Sequence, residues 1–222
     1  MSESPTRIAD SKLSCVYAVG PEAKRGGWCP TIVAGFAAGL FCLAPCSLRA
    51  QPLAGRAGGI TEYDLKAAYL YNFTRYIDWP QEAFGDARSP FVIGVLGDDP
   101  LRAALDEVAR RKMAQGRKIV IRRFKSWKDY QPCHLLFLPR TVENGIKKNV
   151  ITRTRGSPLL LVGETPGLAR RGATVNFYPD INGTIGFEIN VDATTERNLQ
   201  VDARLLKLAR VVRSSPQPGS GS

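Results

Sequence analysis

The chain has 222 residues, 44% of them hydrophobic, and a formal net charge of +11. That length suits one domain of ordinary size with additions at its ends, and the apolar content excludes wholesale disorder. Basic runs at Arg110-Arg111-Lys112, Arg117-Lys118, Arg122-Arg123-Phe124-Lys125 and Lys147-Lys148 suit an anionic partner or a plain solvated surface; without any nucleic-acid motif, no nucleic acid is expected.

In chain order, the first element is a leader. Lys24-Arg25 precedes an apolar run from Trp28 to Pro45, shorter than a comfortable bilayer span, and Ala50 supplies a small residue beyond it. This pattern predicts a secretory signal peptide over residues 1–50, with an extended polar start and cleavage near Ala50. Leu43-Ala44-Pro45-Cys46 has the outline of a lipoprotein cleavage box, but Pro45 stands where a small residue is usual. Cleavage at Ala50 removes Cys15, Cys29, Cys42 and Cys46 and leaves Cys133 alone, so the exported chain has no intrachain disulfide. Cys133 then reads as a buried thiol or as an intermolecular bridge.

Residues 51–60 are small and flexible and make a tether. Thr61 with Asp64 three residues on predicts a helix start. Leu65, Tyr69, Phe73 and Tyr76 recur at helical spacing and define its buried face, while Glu62 and Lys66 are spaced for an ion pair on the outer side. Pro80 stops the helix near Ile77 or Asp78. Tyr63, Tyr71 and Trp79 fall off the main stripe, which leaves ring surface for a partner or ligand, or for further packing.

Phe91–Leu96, Lys118–Phe124, His134–Pro139 and Pro158–Gly163 are apolar runs of strand length. Helices over Leu101–Met113 and Thr141–Thr154 and a helical turn at Ser126–Tyr130 separate them. This alternation predicts an α/β fold with a mostly parallel sheet flanked by helices on both faces. Ala173–Tyr178 and Thr184–Asn190 flank Asn182-Gly183, a hairpin signal, and predict an antiparallel C-terminal addition. A final helix, capped by Asp192 and running to Val212, is expected to bury Leu199, Leu205, Leu206, Leu208 and Val212. It closes a single domain over 61–212, and residues 213–222 read as a disordered tail.

Candidate chemistry is sparse. Gly94-Val95-Leu96-Gly97 before a helix has the outline of a nucleotide-binding turn, but it lacks the third glycine and any Walker lysine. Asp98 and Asp99 read as helix caps. His134 is the one histidine, with no His or Cys partner for a metal or a dyad, and reads as a core residue with a polar end. Glu164 and Glu188 are the carboxylates nearest to strands. Glu188, opposite Asn176 on the hairpin, is a candidate for ligand recognition or else a hydrogen-bonded structural acid. No serine elbow, paired acid site or metal cluster emerges, so the expectation is no catalytic residue, no metal and no cofactor, and a protein that is not an enzyme.

An ordered set of segments carries a further signal. It comprises Lys66-Ala67-Ala68-Tyr69-Leu70-Tyr71-Asn72-Phe73 with Ile77-Asp78-Trp79-Pro80, then Ile93-Gly94-Val95-Leu96-Gly97-Asp98-Asp99-Pro100 and Cys133-His134-Leu135-Leu136-Phe137. Leu161-Val162-Gly163-Glu164, Val175-Asn176-Phe177-Tyr178, Phe187-Glu188-Ile189-Asn190 and Val201 to Leu208 complete it. Together they resemble the YfiR-like family of exported bacterial proteins over about Thr61 to Val212. The resemblance implies a non-catalytic periplasmic regulator with an α/β sandwich fold, prone to form a homodimer. It implies a partner as well: the periplasmic sensory domain of an inner-membrane diguanylate cyclase, held inactive so that cyclic di-GMP and biofilm formation stay low. An outer-membrane lipoprotein can sequester such a repressor, and a sensor kinase is an alternative membrane partner. Family members with structural disulfides carry more cysteines than Cys133 alone, and this chain departs from them there.

Two functions follow. One is stoichiometric occlusion of a membrane sensor through Tyr63, Tyr71 and Trp79 of the aromatic helix. The other is a periplasmic small-ligand binding module in which Asn176, Glu188 and nearby aromatic rings line the site.

Overall fold

The computed structural model describes residues 61–181 and 183–215; the expected signal peptide, the tether and the end of the tail lie outside them. Helix α1 (Glu62–Tyr76) leads into the short strand β1 (Ile77–Asp78). There follow β2 (Phe91–Leu96), α2 (Arg102–Arg111), β3 (Met113–Ala114), β4 (Arg117–Phe124), β5 (Leu135–Leu138), α3 (Asn144–Arg153) and β6 (Leu160–Gly163). The remainder holds β7 (Val175–Pro179), β8 (Ile185–Asn190), α4 (Val191–Glu196), β9 (Gln200–Val201), α5 (Ala203–Leu208) and β10 (Arg210–Val212). Eight strands form one curled sheet in the order β10-β8-β7-β6-β5-β2-β4-β3. From β4 through β2, β5 and β6 to β7 the neighbours are parallel, whereas β7–β8 and β3–β4 are antiparallel. The expected α/β class, with its mostly parallel sheet and antiparallel C-terminal pair, is the fold the chain adopts.

Both faces of the sheet are covered, which is why the central strands are apolar without alternation. Phe91, Ile93, Val95, Leu135 and Phe137 share one core with Leu70 and Phe73 of α1 and Leu105 of α2. Leu96, Leu136, Leu138 and Leu161 share the other with Val150 and Ile151 of α3. Successive side chains thus go to opposite cores.

Helix α1 starts where the capping pattern predicts. The Asp64 N–H donates to Thr61 Oγ1 and the Thr61 N–H to Asp64 Oδ2, each at 3.1 Å. Its buried arc differs from the expected stripe: Lys66, Ala67, Leu70, Phe73 and Thr74 are buried, and Leu65, Tyr69 and Tyr76 are half-buried at the margin. Positions 66, 70, 73 and 77 keep the same helical spacing, one step around the helix, and a lysine among them hid the arc. Large rings still reach the sheet from the margin; the Tyr69 centroid lies 5.3 Å from Phe187 and 5.9 Å from Phe177.

The predicted final helix is not continuous. α4 ends at Glu196, Asn198 takes a positive φ of 54°, and β9 pairs antiparallel with β1 through Ile77↔Val201 and Asp78↔Gln200. α5 then leads to β10, which adds to the sheet beside β8. Backbone pairing outcompetes helix continuation here because β1 and β8 would otherwise leave unpaired edges. Leu199, Leu205 and Val212 are buried as expected, but Leu208 is exposed. The cap of α4 is Asn190, whose Oδ1 accepts from the N–H groups of Asp192 (3.0 Å) and Ala193 (3.1 Å). Asp192 instead accepts from Arg213 Nη1 (3.0 Å) and the Ser214 N–H (2.9 Å), so the beginning of the expected tail is pinned to the domain.

Gly94 explains itself by packing rather than by a nucleotide. A Cβ there would lie 2.9 Å from both Cys133 Sγ and Phe124 Cε2, and 3.0 Å from Leu136 Cδ1. Gly94→Ala is therefore expected to destabilise the fold by about 1–3 kcal/mol through overpacking, measured by urea denaturation.

Candidate functional site

Two adjoining clefts open at the carboxyl end of the parallel strands, the end at which open α/β sheets gather ligand sites. The larger, of about 560 Å³, lies between the first turn of α1 and the end of the β7–β8 hairpin, with Leu65, Thr184 and Ile185 in its wall. The smaller, of about 400 Å³, holds Asn176, Glu188 and Arg210. Arg140, Glu164, Phe177 and Tyr178 line both.

Each wall residue is placed by the element that precedes it. Arg140 lies just past β5, Glu164 follows β6 directly, and Lys66 sits on the first turns of α1. The Lys66 ammonium, 5% exposed, donates to Glu164 Oε2 and to Glu62 Oε1 (2.5 Å). Glu164 Oε1 accepts the Arg140 N–H at 2.7 Å, and Lys147 Nζ donates to the Arg140 carbonyl at 3.0 Å. Burial opposes the charge on Lys66, but its hydrogen bonds to Glu164 and Glu62 outweigh that and hold its pKa above the ordinary lysine value. The same hydrogen bond from Lys66 holds Glu62 below the usual carboxylate range. Lys147, by contrast, is pushed down by burial.

In the smaller cleft, Asn176 and Glu188 are register partners across β7 and β8. Asn176 Oδ1 accepts the Thr165 N–H at 3.1 Å, and its Nδ2 donates to the Phe177 carbonyl at 3.2 Å. Arg210 reaches Glu188 at 3.7 Å and lays its guanidinium 4.2 Å above the Tyr178 ring. The Thr165 hydroxyl beside this network is buried and has no hydrogen-bond partner. The three acids of the clefts each face a cation, so the walls offer alternating fixed charge against aromatic surface.

The predicted residues separate into two groups. Asn176 and Glu188 are brought together in one cleft, while Tyr63, Tyr71 and Trp79 line neither. Tyr63 is exposed on the first turn of α1; Tyr71 is half-buried against the core, with Lys112 Nζ 6.0 Å from its ring centroid. The free ring surface expected at Trp79 is not there. The turn at Pro80 carries the indole into the core, where it is 7% exposed, stands edge-on to Phe91 at 4.9 Å and donates Nε1–H to the His134 carbonyl at 3.0 Å.

His134 and Cys133 belong to the packing. The Val92 N–H donates to His134 Nδ1 at 2.9 Å, which leaves Nε2 as the protonated nitrogen facing the Ala83 carbonyl at 3.1 Å, and burial lowers the ring's pKa. Burial pushes the Cys133 thiol up to about 12. Sequence reasoning missed Lys66 and Arg140. The signal for Lys66 was its place on the 66/70/73/77 stripe, a cation among apolar positions that demands a buried counter-ion. Nothing in the sequence marks Arg140, whose backbone N–H makes the contact to Glu164.

Among the described residues, no three His, Cys, Asp or Glu side chains are placed to hold a metal ion, and no helix is long and apolar enough to cross a membrane. Fold and clefts together define an α/β domain with two adjoining polar clefts at the carboxyl end of its sheet. The chain belongs to the YfiR/HmsC-like family, whose sequence model matches residues 63–210 and so spans both clefts. That family is known for periplasmic regulators rather than for enzymes. None of the curated proteins compared with the chain matches it.

Glu164→Ala leaves the Lys66 ammonium buried without its main counter-ion and is expected to cost about 3 kcal/mol. Adding Lys66→Met in the same chain should restore part of that loss, since the pair is then absent rather than broken. Denaturant titration of both variants measures the difference.

Proposed function

We propose that the chain is a periplasmic regulator that binds and inhibits the sensory domain of an inner-membrane signalling protein, a diguanylate cyclase that controls cyclic di-GMP and biofilm formation. The family match over residues 63–210 carries this reading. Inhibition needs no chemistry: binding one state of the sensor better than the other shifts its population. The first turn of α1 walls the larger cleft and exposes Tyr63, so a partner seated over the cleft also covers that ring. With Trp79 in the core, Tyr63 and the accessible part of Tyr71 are the two of the three expected contact rings that keep free surface on α1. Export through the leader over 1–50, a homodimer and sequestration by an outer-membrane lipoprotein belong to the same proposal.

Deleting the gene is expected to raise cellular cyclic di-GMP and biofilm mass, and the full-length chain supplied from a plasmid should lower both. A chain lacking residues 1–50 should not. Unchanged cyclic di-GMP in the deletion strain overturns the cyclase as target.

The cleft that joins Asn176 to Glu188 favours a second reading, a module whose small ligand tunes signalling. A ligand at about a hundredfold its Kd raises stability by roughly 2.7 kcal/mol, which a thermal melt detects. The full chain melted against a panel of amino acids, sugars and organic acids is expected to yield a stabiliser whose effect vanishes in Glu188→Gln. A panel without effect, or an effect that survives Glu188→Gln, removes this cleft as a ligand site.

A further inference from the structure

A third cavity, of about 420 Å³, lies on the α3 side of the sheet, away from the clefts above. Its walls come from three segments: α3, the 3-10 turn Ala169–Arg171 with Gly172, and Ser214–Ser215. The floor is apolar, formed by Ile151 and Leu168, which are 5% and 1% exposed. Around it stand Lys148, Arg155, Arg170 and Arg171, and no carboxylate lines the cavity.

Among the described residues, three of these four cations lack a counter-ion. Arg155 reaches Glu196 at 3.4 Å, but Lys148, Arg170 and Arg171 form no ion pair among the described residues. Asp192, which meets the rim through the Ser214 N–H, is also engaged by Arg213. Like charges around one cavity repel each other, an arrangement relieved by a bound anion.

The cavity is also built. Gly172 takes φ +110°, and a Cβ there would lie 3.0 Å from Ile151 Cγ2, so only glycine lets the turn approach α3 this closely. The rim is fastened by the Ser215 N–H donating to the Arg170 carbonyl at 2.8 Å and by Asn190 Nδ2 donating to Ser214 Oγ at 2.9 Å. These bonds hold Arg170 and the rim serines together over the floor.

We propose that this cavity binds a phosphate monoester carrying an apolar group. Such a phosphate bears about −1.5 to −2 charge at neutral pH, a better match to Lys148, Arg170 and Arg171 together than a single carboxylate, and its oxygens fit the arginine fork. The apolar group covers Ile151 and Leu168. This site is independent of the regulatory reading above, because it shares no residue with the two clefts.

The test is titration calorimetry of the full chain with phenyl phosphate and with inorganic phosphate, at fixed ionic strength. Phenyl phosphate is expected to bind more tightly than inorganic phosphate, and Arg170→Gln/Arg171→Gln to weaken it by roughly tenfold or more, as loss of charge-assisted hydrogen bonds requires. Lys148→Gln should weaken it independently. Lys118→Gln/Lys125→Gln removes the same charge from the β4 side and should leave the affinity unchanged. Flotation with phosphatidylcholine vesicles, with and without phosphatidic acid, separates the sources: capture that depends on Arg170 and Arg171 assigns a lipid headgroup, and no capture assigns a soluble ester. Absence of phenyl phosphate binding overturns the proposal, as does equal loss in the Lys118/Lys125 control, which would reduce the effect to net charge.

Discussion

A lysine buried between a helix and the end of a sheet constrains this molecule more than any other single contact. An ammonium out of water is tolerated only with a carboxylate in reach, so Lys66 ties α1 to Glu164 at the end of β6. That tie sets the helix at one height over the sheet. From this height Phe73 and Tyr69 meet Phe177 and Phe187, and Glu62 faces the cleft. Glu164 in turn takes the Arg140 N–H, so the chain leaving β5 is drawn into the same junction.

The two clefts are a by-product of that junction. Their walls are strand ends and a helix start, and their acids are already engaged with cations. A partner of the proposed kind would meet acids that need little reordering, which lowers the entropic cost of association. The same engagement fits a regulator better than a proton-transfer site, where a titratable group must be free to change charge. The basic cavity beside α3 differs in kind: Lys148, Arg170 and Arg171 form no ion pair among the described residues, and only Arg155 reaches an acid.

Legibility in the sequence followed the range of the forces involved. The cap at Thr61, the stop before Pro80, the apolar strands and the β7–β8 hairpin all rest on neighbours within a few residues, and they formed as expected. The C-terminal region did not, because residues from Gln200 to Val212 carry helical spacing but lie beside unpaired edges of β1 and β8. Helix propensity is a weak preference, and edges waiting for a partner override it. Trp79 shows the same limit: its position off the helical stripe was visible, yet the hydrogen bond to the His134 carbonyl that buries it spans 55 residues.

The sequence by itself determined the alternation of strands and helices, the covered sheet, the hairpin that sets Asn176 opposite Glu188, and the family, since periodicity and ordered motifs are written in local order. Tertiary structure decided which face of α1 is buried, that Lys66 and Glu164 meet across 98 residues, and that Lys148, Arg170 and Arg171 surround one cavity. The physical reason is that burial and charge pairing depend on what stands opposite a residue, and only the folded sheet brings those opposites together.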